Sequence, residues 1–300
     1  MNVRSPIKWF GGKGIFLKKI LPLIPKHNTY LEVFGGGASL LFAKEPSNIE
    51  VYNDLDEGLV NFFRVLRDPE KFGRFYHYAI FTPYARSEYD YCLRTWKEEQ
   101  DDVVRAYKWF VIARMSFSGR FGHGWSNCIS SSGRNGVSRS CAGWLSILEM
   151  MPEIHERIQG VQIECDDWKN ILERYDKEDV FAYLDPPYIP DTRLGGAYYC
   201  EMSADDHNSL VKTLLNYSGM VILSGYAHGI YKPLEDKGWI RKDFETVCHA
   251  SKEEEKPIRV ESIWMNKAAV KSKKFDGFDF ETIDEKIDLD EEIANGDIEE

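Results

Sequence analysis

The chain has 300 residues, 43% hydrophobic and 29% charged, with a formal net charge of −11. This is ordinary soluble composition, long enough for one large domain or a core with an insertion. It has no apolar run of about eighteen residues, so no membrane span is expected, and residues 1–14 lack the apolar stretch of a signal peptide. At face value the net charge speaks against nucleic acid as a partner. It is an average, however: residues 276–300 hold twelve acids and one base, and the other 275 residues hold 37 of each.

In chain order, the first segment with chemical content is Ile7-Lys8-Trp9-Phe10-Gly11-Gly12-Lys13. It reads either as a first turn with Trp9 in the core, or as one wall of a cofactor site with Lys8, Lys13 or both facing a carboxylate. Residues 30–34 (YLEVF) form a short apolar strand containing Glu32 and Phe34, followed by Gly35-Gly36-Gly37 and a helix over 38–43. Glycines at a strand-to-helix turn let a ligand approach the backbone. A second strand, 49–52, leads to Asp54, where a carboxylate can accept hydrogen bonds from ribose hydroxyls. The spacing G-x-G-x-x-G is absent because position 40 is Leu, which weakens a nicotinamide reading.

From about residue 57 to 165 the strand–helix rhythm breaks into helices, one of them running from Asp101 to about Met115. A Gly-, Ser-, Asn- and Arg-rich stretch follows over 116–143, long enough to be read as a functional loop within an inserted subdomain. Residues 103–148 contain no acid and six bases: Arg105, Lys108, Arg114, Arg120, Arg134 and Arg139, with His123 besides. Such a patch suits phosphate neutralisation, although scattered surface arginines give the same pattern. Arg134 and Asn135, between Gly133 and Gly136, are candidates for groove contacts.

A third strand, 180–184 (VFAYL), stops at Asp185-Pro186-Pro187-Tyr188. Two prolines bar helix and strand alike, so an acid and an aromatic are held at the sheet edge. The loop with Arg193, Gly195-Gly196 and Tyr198-Tyr199 either closes over a ligand or is a surface turn. Ser203 before Asp205-Asp206-His207 caps a helix. Strands over 221–224, 239–244 and 259–265 follow, the late ones antiparallel. Short apolar strands alternating with helices imply a mainly parallel sheet covered on both faces. Six cysteines without a C-x-x-C pair read as free thiols. The acidic tail reads as a solvated, disordered segment or as a short helix that docks on a partner.

The three motif segments, in this order, resemble the adenine-specific DNA methyltransferases of the D-P-P-Y type (D12 class, alpha arrangement), a group that includes the Dam enzymes. The family's K-W-x-G-G-K segment matches Lys8, Trp9, Gly11, Gly12 and Lys13. Its strand-glycine segment matches Glu32, Phe34, Gly35 and Gly37, with Val33 where proline is usual. Its ribose-binding acid matches Asp54. Its adenine-contacting acid before an aromatic matches Asp167-Trp168, with Asp166 adjacent and the register open by one. The D-P-P-Y matches at all four positions, and Asp206-His207 and residues 259–266 are also family-like.

The resemblance implies a Rossmann-like α/β methyltransferase sheet with an inserted, largely helical target-recognition subdomain. Residues 1–56 and 166–270 are then catalytic, 57–165 bind DNA and 271–300 form the acidic tail. It implies S-adenosylmethionine as methyl donor with no metal. The acceptor is adenine N6 on a flipped-out base, held by Asp185, Pro186, Pro187 and Tyr188. Arg114, Arg120, His123, Arg134, Asn135, Arg139 and Arg193 face double-stranded DNA. A cognate restriction endonuclease is a candidate partner, and a monomer in a bacterial or phage-infected cytoplasm is expected. The alternatives are a cytosine N4 methyltransferase, whose related motif more often begins with Ser, a protein-glutamine methyltransferase, a catalytically inactive DNA-binding relative, and a nicotinamide dehydrogenase on a related sheet.

Overall fold

The computed structural model describes residues 3–9, 16–128, 136–189, 200–247 and 258–275. The expectations for Gly11, Gly12, Lys13, Arg134, Asn135, Arg193, Tyr198-Tyr199 and residues 276–300 of the tail lie outside the described residues, whereas residues 271–275 end a helix, Lys267–Phe275.

Seven strands are present among the described residues: β1 (Thr29–Glu32), β2 (Ile49–Asn53), β3 (Val161–Glu164), β4 (Val180–Leu184), β5 (Met220–Tyr226), β6 (Ile240–Val247) and β7 (Ile258–Met265). They form one sheet in the order β3-β2-β1-β4-β5-β7-β6. The pairs β2–β3, β1–β4 and β4–β5 are parallel, whereas β5–β7 and β6–β7 are antiparallel. β1 and β4 are buried at every residue, as central strands are; β4 is an unbroken apolar run, whereas β1 also buries Thr29 and Glu32. From β1 the chain proceeds outward to β2 and β3, and from β4 it proceeds the other way to β5. The reversal makes the carboxyl ends of β1 and β4 the topological switch point of a doubly wound sheet, where ligands bind. The fold is thus the mixed α/β sheet expected, parallel with antiparallel late strands.

The helices in chain order are α1 (Leu17–Ile20), α2 (Ser39–Ala43), α3 (Glu57–Arg67), α4 (Pro69–Ile80), α5 (Arg86–Thr95), α6 (Asp102–Met115), α7 (Arg139–Ile158), α8 (Trp168–Arg174), α9 (Ala204–Leu214), α10 (Lys232–Asp236) and α11 (Lys267–Phe275). Asp56, Asp68 and Asp101 cap α3, α4 and α6 by accepting two backbone N–H bonds each. Ser203 and Asp206 form the capping box that opens α9. α7 begins inside the stretch read from sequence as a loop. Its cap, Ser138, is one serine among many in a glycine-rich segment, so nothing local marks the start. β3 was likewise unforeseen, since only Val161 of its residues is fully buried.

The chain divides into two compact units, Met1–Lys13 with Gly35–Pro46 and Glu50–Cys165, and Gly14–Phe34 with Ser47–Ile49 and Asp166–Glu300. The first has an aromatic core in which Phe62 stacks on Phe110 at 5.5 Å and on Trp109 at 5.4 Å. α6 is buried on nearly every side, the condition of a helix at the centre of its unit. In the same unit the buried Glu50 of β2 ion-pairs with the buried Lys44 and with the half-buried Arg157 of α7. Burial would raise the Glu50 carboxyl, but the bonds from Arg157 and Lys44 outweigh it and leave its pKa below the usual value.

Candidate active site

The D-P-P-Y turn continues straight from β4. Glu32 of β1 is in register with Tyr183, two residues before Asp185. Asp185 is half-buried, Pro186 is buried, and Tyr188 is only 5% exposed. The Tyr188 ring meets Tyr226, at the end of β5, edge-on with centroids 4.8 Å apart. Below the turn, the Tyr183 hydroxyl bonds Ser224 at 2.9 Å. Burial, then the charge of Asp185, drive that phenol well above its ordinary pKa. His207, fully buried on α9, lies 3.0 Å through Nε2 from the Pro187 carbonyl and 2.8 Å through Nδ1 from the Tyr231 hydroxyl. Sequence reasoning singled out His207 only as a family-like residue and missed Tyr226, placed by the pairing of β5, and Tyr231, in a short helical turn over Gly229–Tyr231; both act through contacts that no local pattern marks.

Of the residues expected to bind the cofactor, four lie in this same unit. Glu32 is buried and accepts the Tyr30 hydroxyl at 3.1 Å, and Phe34 is half-buried. Trp168 is buried in the first turn of α8, and Asp167 caps that helix through the Lys169 N–H. Asp166 accepts from the Asp167 N–H, Asn170 and Arg174, all at 2.8 Å. Three of the acceptor sites on its carboxylate are therefore taken.

In the first unit the glycine turn is built from outside. Gly35 donates to the Asn53 carbonyl at 2.8 Å, and a Cβ on Gly35 would lie 2.1 Å from Tyr52 Cε2. Gly36 has φ +46°, and its Cβ would lie 2.9 Å from Trp9 Nε1. Gly37 would place a Cβ 3.0 Å from Trp9 Cβ. Trp9 in turn packs on Trp109 at 5.9 Å. The glycines are therefore demanded by the protein's own aromatics as well as suited to a ligand. The Tyr52 hydroxyl donates to the Gly36 carbonyl at 2.8 Å, and the Gly36 N–H donates to Asp54 Oδ2 at 2.7 Å. Asp54 Oδ1 accepts the Asp56 N–H at 2.9 Å. Burial overrides these two bonds and pushes the Asp54 pKa up to about 6.

The same unit gathers three cations. Arg114, at the last turn of α6, is 8% exposed; its Nη2 donates to the Gly143 carbonyl at 2.8 Å, and its Nε has no partner. Burial, then Arg4, lower its pKa to about 10. Lys8 is exposed as a residue, yet desolvation around its ammonium, then Arg114 and Arg4, lower its pKa too. Among the described residues no carboxylate pairs with Arg4, Lys8 or Arg114, so the trio is suited to an anion. Sequence reasoning assigned Lys8 and Arg114 to different ligands and missed Arg4.

Beyond α6 the chain folds back as a hairpin closed by the Ser116–Trp125 bridge and by Ser126 N–H to the Met115 carbonyl at 2.7 Å. Arg120 and His123 are exposed on it, Arg139 is exposed at the start of α7, and Phe117 is 60% exposed. Lys108, counted from sequence among six free charges, is buried and paired with Glu99 at 2.8 Å. The acid-free window was linear, and Glu99 reaches in from just outside it.

The chain matches the family model of the D12 class N6 adenine-specific DNA methyltransferases over residues 9–228. It is 28% identical over 204 residues to the type II methyltransferase M1.LlaDCHI of Lactococcus lactis subsp. cremoris, covering 63% of this chain and 67% of that protein. It is 25% identical over 245 residues to the type II methyltransferase M.CviBI of Paramecium bursaria Chlorella virus NC1A, covering 75% and 88%. With the type II methyltransferase M.MjaIII of Methanocaldococcus jannaschii the identity is 23% over 221 residues, covering 63% and 71%.

Proposed function

The chain belongs to the D12 class N6 adenine-specific DNA methyltransferases, and on that footing we propose that S-adenosylmethionine is its methyl donor and that the acceptor adenine is flipped out of the duplex onto the Asp185–Tyr188 turn. The observation that carries this is the placement of Asp185-Pro186-Pro187-Tyr188 at the carboxyl end of β4, paired with β1 at the switch point of the sheet.

The donor supplies an electrophilic methyl group. The donor-site residues fit such a ligand. Asp54 accepts two backbone N–H groups, and a carboxylate offers about four lone-pair sites, which leaves capacity for ribose hydroxyls. Trp9, Glu32, Phe34, Gly35, Gly37, Asp54, Asp167 and Trp168 are the proposed cofactor residues, with Lys13 from the sequence match. Lys8 stands with Arg4 and Arg114 as a site for a carboxylate or a phosphate.

An adenine amine is a poor nucleophile because its lone pair is delocalised into the ring. The Asp185 carboxylate accepts one amine hydrogen and the Pro186 carbonyl accepts the other, which favours a pyramidal nitrogen with its lone pair free for transfer. This is positioning and electrostatic stabilisation without a covalent intermediate. Tyr188 stacks on the extruded base, offsetting a flipping cost of a few kcal/mol. Arg120, His123 and Arg139 contact DNA from the recognition region, 57–165, with Arg134, Asn135 and Arg193 from sequence. Arg120→Ala is expected to flatten the salt dependence of DNA binding by about one unit of slope.

The relatives named above are type II methyltransferases, so a cognate endonuclease is a proposed partner. We assign the chain a monomeric state and a cytoplasmic site of action. Expression in a methylation-free host, with N6-methyladenine mapped by sequencing, tests the reading: methylated adenines in one sequence context are expected, and unmodified DNA would overturn it.

A further inference from the structure

The backbone of the Asp185–Tyr188 turn has few free torsions. Proline rings fix φ at 186 and 187. Asp185 and Pro186 each precede a proline, which confines their ψ to the extended region. The torsion left soft is ψ of Pro187, and it decides where the next residue, Tyr188, is carried. The Pro187 carbonyl rotates with that torsion.

That carbonyl is the group 3.0 Å from His207 Nε2. A carbonyl can only accept, so Nε2 carries the proton and donates. Nδ1 of a neutral ring is then the acceptor, and the Tyr231 hydroxyl at 2.8 Å donates to it. Each group in the chain Tyr231, His207, Pro187 is thereby given one role. His207 is 0% exposed and Tyr231 is 1% exposed, so water does not compete for these bonds. His207 is held by a rigid element: the Ser203–Asp206 capping box lies at the start of α9, and the His207 N–H donates to the Ser203 carbonyl at 3.1 Å. Tyr231 packs against Trp264 at 4.6 Å.

We propose that His207, set in its Nε2–H tautomer by Tyr231, is a positioning residue that locks the last free torsion of the Asp185–Tyr188 turn, and so holds Tyr188 where it receives the acceptor base. It touches neither the reacting atoms nor the donor. The inference rests on the proposed role of that turn and deepens it.

Two measurements on the full-length chain test it. In the first, His207→Leu removes both ring bonds at similar volume, whereas His207→Gln keeps a donor near the position of Nε2. The expected result is a loss of about 10–100-fold in kcat for His207→Leu, the penalty of a misplaced reactant. KM for the donor stays within about twofold, and His207→Gln recovers most of the rate. The inference is overturned if His207→Leu keeps its kcat, or if His207→Gln falls as far as His207→Leu. In the second, ring-nitrogen NMR of the wild-type chain, with His207 assigned from the spectrum of His207→Gln, should show a protonated Nε2 and a bare Nδ1. The reverse tautomer would overturn the inference even if His207→Leu fails to fold. If the wild-type chain methylates no adenine, the reading of the turn fails, while the ring spectrum still reports on the lock.

Discussion

Two turns leave the carboxyl ends of paired parallel strands, and they are made rigid by opposite means. The turn after β1 is glycine, with no side chains of its own, and it is stiffened from outside by the Tyr52 ring, by Trp9 and by the Asp54 carboxylate. The turn after β4 is proline, stiff from within, and its Pro187 carbonyl accepts a bond from His207. The glycine turn therefore tolerates no added atom, because its neighbours already fill the space a Cβ would need. The proline turn instead depends on the groups it presents and on the histidine that holds its carbonyl.

The largest effect should come from removing what the proline turn presents. Asp185→Ala should lower methyl transfer by about 10²–10³-fold or more, the scale of losing an electrostatic partner to the reacting group. Donor affinity measured by calorimetry should stay within a few-fold. A near wild-type rate in a labelled-methyl assay would remove Asp185 from the reaction. Next should come the glycine turn. Gly35→Ala sets a Cβ at 2.1 Å from the Tyr52 ring, an overpacking expected to cost about 1–3 kcal/mol in thermal or denaturant unfolding. Donor binding should weaken with it, because Tyr52 also holds the Gly36 carbonyl. Tyr52 is fully buried, so Tyr52→Ala is destabilising by itself, but Gly35→Ala should cost less in the Tyr52→Ala background than in the wild type because the space is then open. An equal cost of Gly35→Ala in both backgrounds would mean that the clash is not what makes position 35 glycine.

The sheet was legible because its central strands are short, mainly apolar runs soon followed by Gly or Pro. Residues 180–184 and the Ser203 cap were readable for the same local reason, and the motif residues at 185–188 stand at the sheet edge as their spacing implied. What was not legible depends on contacts between segments distant in sequence. The charge of Lys108 is cancelled by Glu99, outside the acid-free window that made it look free. Arg4 joins Lys8 and Arg114 although 110 positions separate the outer two. Tyr226 faces Tyr188 because β5 pairs with β4, and no local pattern marks an aromatic two residues past a strand serine. α7 was hidden because its cap is a serine in a serine-rich run.

A smaller effect separates the brace of the glycine turn from its chemistry. Burial lifts the Asp54 pKa to about 6, above the ordinary carboxylate value. The fold therefore favours the protonated acid. This contribution to stability is full below the unfolded pKa and is lost as pH rises through about 6. Ribose hydroxyls bind the ionised form better, so donor affinity should run the other way and weaken about tenfold between pH 7 and pH 5. Asp54→Asn should flatten that profile. It should also loosen the turn, because an amide offers one acceptor oxygen where Gly36 and Asp56 N–H need two. A wild-type profile flat across this range would leave Asp54 as a brace alone.

The smallest effect should come from within the proline turn. Pro187→Ala keeps the carbonyl that His207 holds and keeps Asp185 and Tyr188. It frees φ at 187 and, because Pro186 no longer precedes a proline, ψ at 186 as well. Releasing such torsions where the native backbone already suits proline costs about 0.4–1 kcal/mol. The rate should thus fall by only about two- to fivefold, with KM for the donor unchanged. If His207 supplies most of the remaining order, Pro187→Ala in the His207→Leu background should cost more than in the wild type, because the turn would then lose its inner and outer constraints together. Strict additivity of the two changes would mean that the ring and the histidine act on different parts of the turn, and the contrast with the glycine turn would narrow to the presence or absence of a side chain.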